Sequence, residues 1–132
     1  MKKYIGRLDI AKYQLVTSKR IMTDTVILTD NRREHIIQRR GQEFYDKYSS
    51  LFADVISDPD YIFRDEKDNT ALAAKTLMQN GESINIVLRL AVEGDDPEYK
   101  NSIITAIREN DKRFAQRLRN NIPVYKRLDK SE

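Results

Sequence analysis

Cysteine is absent from this chain, and histidine occurs once among its 132 residues. Without cysteine the protein has no disulfide bonds and no thiolate ligands, so a structural zinc site is excluded. A single histidine leaves only carboxylate-rich metal sites open. Imidazole titrates near neutrality, so His35, which lies among arginines, is placed to transfer protons beside an anion such as phosphate. The alternative is an ordinary residue on a helix surface.

Long apolar stretches are also missing from the sequence. No run approaches the roughly 18 residues that span a bilayer, and Met1-Lys2-Lys3 is not followed by the apolar core of a signal peptide. We therefore expect a cytoplasmic protein with no membrane partner. The chain corresponds to one domain, residues 1–132, and its regular apolar periods argue against disorder although 34% of the residues are charged.

The charges of the chain nearly balance, with a net charge of only +3. This value alone does not indicate a nucleic-acid partner, but the basic residues are unevenly distributed. They concentrate around His35 and in the C-terminal quarter, at Arg32, Arg33, Arg39, Arg40, Arg108, Lys112, Arg113, Arg117, Arg119, Lys126 and Arg127. If the two segments meet in the fold, they form a positive surface suited to a phosphate backbone; otherwise they are solvated helix surfaces.

Four segments carry the signals of helices, which are polar N-capping residues, apolar residues at helical spacing, and glycine or proline at their ends. The predicted helices cover residues 10–15, 30–40, 42–57 and 110–119. The helix over residues 42–57 is predicted to be unbroken until Asp58-Pro59-Asp60, because proline cannot donate a backbone hydrogen bond. Its apolar surface, with Phe44, Tyr48 and Phe52, is expected to be core, and the alternative is a surface that docks a partner protein.

Seven short segments have strand patterns. The predicted strands cover residues 4–8, 25–28, 61–63, 71–78, 84–92, 102–107 and 124–126. Strict alternation over residues 84–92 predicts a central strand with one side in the core, and Asn80-Gly81 before it predicts a hairpin. Strands in succession, with helices mostly before them, predict an α+β fold built on an antiparallel sheet.

The ordered motifs of the chain resemble the phage-associated branch of the barnase-EndoU-colicin-RelE-like nuclease superfamily. The resemblance covers most of the chain, from about Val26 to Lys126, and depends on the order and spacing of short motifs. These motifs are a strand leading into His35-Ile36 with a basic residue four positions on, Asp58-Pro59-Asp60-Tyr61-Ile62, a strand carrying Lys75, Asn101-Ser102-Ile103-Ile104-Thr105-Ala106, and Tyr125-Lys126.

The resemblance implies an antiparallel sheet of about four strands, with N-terminal helices packed on it and one C-terminal helix. It also implies an endoribonuclease, as a toxin or a phage or mobile-element effector, that needs no metal or other cofactor. The chain departs from the family at Arg40-Gly41, where relatives often have a second histidine followed by proline. The alternative is therefore a noncatalytic nucleic-acid-binding or phage accessory domain on the same fold.

Metal-independent RNA cleavage needs a base for the 2′-hydroxyl, cations for the phosphorane and an acid for the departing 5′-oxygen. From the resemblance we hypothesise that His35 is base or acid, that Arg39 and Lys75 hold the phosphate, and that Thr105 and Tyr125 position it. The predicted nucleic-acid-binding residues are Arg32, Arg39, Arg40, Arg113, Arg117 and Lys126. For Lys75, Thr105 and Tyr125, ordinary sheet positions are the alternative.

RNA is the expected partner. A toxin would also have an inhibitor protein, which we expect to be acidic to match the basic surface. The sequence does not indicate an oligomeric state.

Overall fold

The sheet of this protein has more strands than the family resemblance implied. A computed structural model describes residues 1–77 and 82–128. The strands are β1 Lys2–Arg7, β2 Thr25–Thr29, β3 Tyr61–Arg64, β4 Thr70–Thr76, β5 Ser83–Arg89, β6 Asn101–Glu109 and β7 Tyr125–Lys126. They form one seven-stranded sheet in the order β1-β2-β6-β5-β4-β3-β7. The hairpin predicted at Asn80-Gly81 lies outside the described residues.

The predicted antiparallel sheet of about four strands, with N-terminal helices packed on it and one C-terminal helix, is therefore wrong. The sheet has seven strands and is mixed, because β2 runs parallel to β6, with Val26 opposite Asn101 and Ile27 opposite Ser102. The other neighbouring strands are antiparallel, and the fold as a whole is α+β. Local patterns located the strand segments, but three strands separate β2 from β6 in the sequence, so no local pattern encodes their pairing.

Helices precede β3 and follow β6. Those of the described residues are α1 Ile10–Tyr13, α2 Asp30–Arg40, α3 Gln42–Tyr48, α4 Phe52–Ser57 and α5 Asp111–Asn120. The single helix predicted over residues 42–57 is wrong, because a 3₁₀ turn at Ser49–Leu51 separates α3 from α4. Serine is a weak helix former, and two serines occur at this turn. None of the helices described here has the length and apolar character needed to cross a bilayer.

One surface of the sheet, here called the α2 face, carries α2, α3 and α4. Ile86 of β5 is fully buried there in one apolar core with Ile36 of α2 and Phe52 of α4. Tyr48 belongs to the same core and Phe44 packs against it. The aromatic surface considered for docking a partner is therefore an internal surface.

The opposite surface, here called the α5 face, is covered in part by α5. Phe114 packs against Tyr61 with ring centroids 5.5 Å apart, and Leu72 joins the same cluster. Because side chains alternate along a strand, Ser83 and Asn85 of β5 point to this face. Both are fully buried, so β5 is enclosed on two sides rather than on the one side predicted.

Candidate active site

The C-terminal half of β6 extends beyond its pairing with β2, which ends at Ser102. Helix α2 packs against β6, and the Nε–H of Arg40 donates a hydrogen bond to the carbonyl oxygen of Ala106 at 3.1 Å. Burial of this guanidinium, and then the adjacent charge of Arg39, lower the pKa of Arg40 from its usual value. A basic side chain thus attaches α2 to the part of β6 that leads to Glu109.

β6 ends at Glu109, whose residue surface is only 5% exposed. Arg117 of α5 donates from Nε to Oε1 at 3.0 Å and from Nη2 to Oε2 at 2.8 Å. Asn85 donates from Nδ2 to Oε1 at 2.6 Å, and Ser83 Oγ donates to Asn85 Oδ1 at 3.0 Å. We call these four hydrogen-bonded residues, Ser83, Asn85, Glu109 and Arg117, the Glu109 cluster.

The turn between β6 and α5 explains how Arg117 returns to Glu109. Asn110 caps the helix by accepting a hydrogen bond from the Arg113 N–H at 2.8 Å, so α5 begins directly after the strand. Side chains on a helix tilt toward its N-terminus, and the long arginine side chain of Arg117 therefore points back to the end of β6.

Glu109 is ionised at neutral pH in this environment. Burial of the carboxylate acts to raise its pKa, but the hydrogen bond and charge of Arg117, followed by Asn85 and Arg113, hold it below the ordinary value of 4.5. The hydrogen bond to Glu109 in turn raises the pKa of Arg117. The cluster therefore keeps a buried anion beside a permanent cation.

One acceptor position of Glu109 remains open among the described residues. A carboxylate oxygen accepts about two hydrogen bonds; Oε1 accepts from Asn85 and Arg117, whereas Oε2 accepts only from Arg117. Glu109 borders a pocket of about 250 Å³. The residues that line it are Glu109, Arg113, Gln116, Arg117, Asn120 and Asn121.

This geometry suits base-assisted phosphoryl transfer. An ionised carboxylate with an open acceptor position can remove a proton from a hydroxyl, and guanidinium groups bind phosphate in bidentate geometry. A guanidinium has five N–H donors, of which Glu109 engages two on Arg117, so Arg117 can also contact an anion. In residues 1–77 and 82–128, no three histidine, aspartate or glutamate side chains converge as metal ligands.

Three of the predicted site residues lie on one side of α2. His35 is half-buried, with the exposed Arg32 and Arg39 on the same side of the helix. Strand β6, on which α2 packs, is four positions from β7 in the sheet, roughly 19 Å at about 4.8 Å per strand. His35 and Tyr125 therefore belong to elements that are four strand positions apart in the sheet.

Lys75 is paired with a carboxylate. Its Nζ donates to the Asp58 carbonyl oxygen at 2.9 Å and to Asp58 Oδ2 at 3.2 Å. Arg127 contacts Asp58 at 2.6 Å and the buried Asp60 at 2.8 Å, and Thr76 donates to Asp60 Oδ2 from its N–H and hydroxyl. These residues join the end of α4, the end of β4 and the segment after β7, which gives Lys75 a structural role.

Thr105 and Tyr125 point to opposite faces of the sheet. Thr105 is paired with Val87, which packs on the α5 face, and its buried hydroxyl has no hydrogen-bond partner in the part of the chain described here. Tyr125 is paired with Ile62 and packs against the core of the α2 face. Lys126, next to it, is exposed.

Two of the predicted nucleic-acid-binding residues, Arg113 and Arg117, line the pocket beside Glu109, and a third, Arg40, reaches the same strand. Sequence reasoning missed Glu109 and Asn85. Alternation with buried isoleucines predicts that Asn85 faces away from the core. The available signal was a carboxylate that ends an apolar strand, followed at once by an arginine-rich helix.

Comparison with known proteins identifies the family of this chain. The family model described as phage-Barnase-EndoU-ColicinE5/D-RelE like nuclease2 matches residues 3–126. No curated protein and no solved structure gave a significant match. The matched region contains the basic residues around His35, those of the C-terminal quarter except Arg127, and the whole Glu109 cluster. The match confirms the resemblance identified from the sequence. The chain belongs to this phage-associated family of barnase-EndoU-colicin-RelE-like nucleases.

Proposed function

We propose that this nuclease-family protein cleaves RNA without a metal ion, with Glu109 as the general base. The observation that carries the proposal is the buried Glu109 carboxylate, which Arg117 holds ionised while Oε2 keeps an open acceptor position beside a basic pocket. A general base must be ionised, oriented and within reach of the proton that it removes. Arg117 and Asn85 provide the first two conditions, and the pocket provides room for the third.

The proposed reaction is an intramolecular transesterification. Glu109 Oε2 takes the proton of the 2′-hydroxyl, the 2′-oxygen forms a bond to phosphorus, and the bond from phosphorus to the 5′-oxygen breaks. The departing 5′-oxygen takes a proton from solvent, which leaves a 2′,3′-cyclic phosphate and a 5′-hydroxyl. Arg113 and Arg117 stabilise the negative charge that develops on the phosphorane oxygens.

The proposed reaction requires RNA rather than DNA, because its attacking nucleophile is the 2′-hydroxyl that DNA lacks. Exposed amide side chains at Gln116, Asn120 and Asn121 line the same pocket. Amides donate and accept hydrogen bonds at base edges. They are therefore suited to contact the nucleotide next to the scissile phosphate.

The proposal extends to a role as a toxin or as a phage or mobile-element effector that degrades cellular RNA in the cytoplasm. A cell that makes such an enzyme needs an inhibitor. An acidic protein that covers Arg113 and Arg117 would have the complementary charge.

The test is cleavage of a labelled, mixed-sequence, single-stranded RNA in the presence of a chelator by the wild-type protein, Glu109→Gln and Glu98→Gln. Glu98 is an exposed carboxylate outside the pocket, so its substitution removes the same charge without touching the cluster. We expect chelator-resistant cleavage to cyclic phosphate ends, a rate about 10²- to 10⁴-fold lower for Glu109→Gln, and a rate near wild type for Glu98→Gln.

The proposal would be contradicted if the chelator abolished cleavage. It would also be contradicted if the wild-type protein and a folded Glu109→Gln variant cleaved RNA at equal rates. If Glu109→Gln does not fold, Arg117→Lys keeps the charge but not the paired hydrogen bonds, and its turnover should fall. RNA binding with a steep salt dependence and no cleavage would instead support a noncatalytic binding domain.

A further inference from the structure

Helix α2 carries basic side chains that have no partner among the described residues. Arg32 and Arg39 are exposed, and His35 lies between them on the same side of the helix. Within the described ranges, these three side chains make no hydrogen bond and no ion pair. Other arginines are paired with carboxylates, namely Arg89 with Asp95, Arg108 with Glu82, Arg117 with Glu109 and Arg127 with Asp58. We call Arg32, His35 and Arg39 the α2 stripe.

The α2 stripe ends close to the candidate active site. Arg40, the residue after Arg39, is bonded to the carbonyl oxygen of Ala106. Ala106 precedes Glu109 by three residues in the same strand, roughly 10 Å in extended chain. The stripe continues from Arg39 to Arg32 over about 10 Å of helix axis. A ligand at Glu109 is therefore within a few nucleotides of the stripe.

The open side of β6 connects the two surfaces. β2 pairs with β6 only at Asn101 and Ser102, so among the described residues no strand is paired with this edge of β6 along its C-terminal half. A flexible single-stranded RNA can pass from the pocket on the α5 face, around this edge of β6, to the α2 stripe. A rigid duplex cannot follow such a bend.

We propose that the α2 stripe binds the phosphates of single-stranded RNA that flank the scissile phosphate. The proposal rests on the proposed function, because it places the reacting phosphate at Glu109. Arg32 and Arg39 contact the backbone and carry no base specificity. The stripe therefore sets how well a long RNA binds, whereas the Glu109 cluster sets how fast the bound phosphate reacts.

The test compares a dinucleoside monophosphate with a 12-nucleotide single-stranded RNA as substrates of the wild-type protein and of Arg32→Gln/Arg39→Gln. The dinucleotide fills the pocket but does not reach α2. We expect the double variant to lose, by several-fold, the preference in kcat/KM for the 12-mer over the dinucleotide, chiefly through KM. The slope of the logarithm of the 12-mer binding constant against the logarithm of the salt concentration should also become shallower by about 1.4. This corresponds to about 0.7 for each lost phosphate contact on a single strand.

The matched control is Arg20→Gln/Lys67→Gln, which removes the same two charges from exposed residues at the opposite end of the strands. Its substrate preference should equal that of wild type. We call Arg32→Gln/Arg39→Gln the α2 variant. The proposal is overturned if the α2 variant keeps the wild-type preference for the 12-mer, or if the control loses this preference to the same extent.

A second measurement separates this inference from the proposed function. Affinity for a 12-mer with 2′-deoxy substitution, which the proposed reaction cannot cleave, is measured by fluorescence anisotropy. If wild-type protein cleaves no RNA, the proposed function fails, yet weaker binding by the α2 variant than by the control still supports the RNA-binding stripe. Equal binding by both variants overturns it.

Discussion

Arg117 and Glu109 are joined by two hydrogen bonds, at 3.0 Å and 2.8 Å, across the junction of β6 and α5. Arg117 uses one acceptor position on each oxygen of this buried carboxylate, and Asn85 uses a second one on Oε1. In the described residues Oε2 retains one. That open position beside a basic pocket is what makes Glu109 a candidate base as well as a structural anchor.

Replacing Glu109 by glutamine should change how stability depends on pH. Because its pKa is held below 4.5, ionised Glu109 stabilises the fold above that pH, and the contribution is lost as pH falls through the lower, folded-state pKa. We expect the free energy of unfolding of Glu109→Gln to be about 1 to 3 kcal/mol lower than that of wild type at pH 7, with a smaller difference at pH 3. Urea unfolding at both pH values measures this. A difference that is the same at pH 7 and pH 3 would count against it, and Glu98→Gln serves as the control.

Arg117→Met should move the acid limb of the pH–rate profile upward. In the wild-type protein Arg117 opposes the effect of burial, so we expect this limb below pH 4.5. Without Arg117, burial is largely unopposed and raises the pKa of Glu109. The measurement is kcat/KM as a function of pH for both proteins. An acid limb at the same pH in both would show that Glu109 is not the base.

His35→Ala separates the two candidate bases. The catalytic role of His35 inferred from the family resemblance stays a prediction, and it requires a loss of at least about 100-fold in kcat. Because His35 lies on the α2 stripe with no described contact to Glu109, we expect instead less than a tenfold loss, seen mainly in KM for long RNA. Steady-state kinetics on the 12-mer decide between the two.

Lys75→Gln should affect stability more than turnover. Its ammonium is paired with Asp58, whose side chain is 49% exposed, so solvent screening limits the loss to about 0.5 to 1 kcal/mol. We expect a small decrease in the urea midpoint and a kcat within a few-fold of wild type. If Lys75 holds the reacting phosphate, kcat falls strongly while the urea midpoint hardly changes.

Thr105→Val tests one of the two predicted positioning residues. The Thr105 hydroxyl is buried without a hydrogen-bond partner among the described residues, and valine has nearly the same shape without the polar atom. We expect the variant to be more stable by about 1 kcal/mol, which thermal unfolding would show. Decreased cleavage of RNA by the folded variant would instead support a role for the hydroxyl in holding phosphate.

Local signals in the sequence predicted several elements well. Thr29, a polar residue just before the predicted helix over residues 30–40, caps α2 by accepting from the Arg32 N–H, and Gly41, at a φ of 99°, ends it. These features depend on residues within one helical turn, so the sequence pattern contains them. The break between α3 and α4 was missed because apolar spacing continues through Ser49 and Ser50, where the backbone tightens.

The candidate site was predicted only in part. Arg113 and Arg117 were identified from charge alone, and both line the pocket. Glu109 and Asn85 were not, since they are 24 positions apart in sequence and meet only through the antiparallel pairing of β5 with β6.

The family, the helix caps, the strand segments and the uneven distribution of arginines can all be recognised in the amino-acid sequence, because each depends on neighbouring residues. Tertiary structure alone decided that β2 lies parallel to β6, that Lys75 is paired with Asp58, and that Glu109 meets Arg117 and Asn85. These outcomes depend on which strands become neighbours in the sheet. Strand pairing is set by the burial of the whole core, which no single segment of the chain contains.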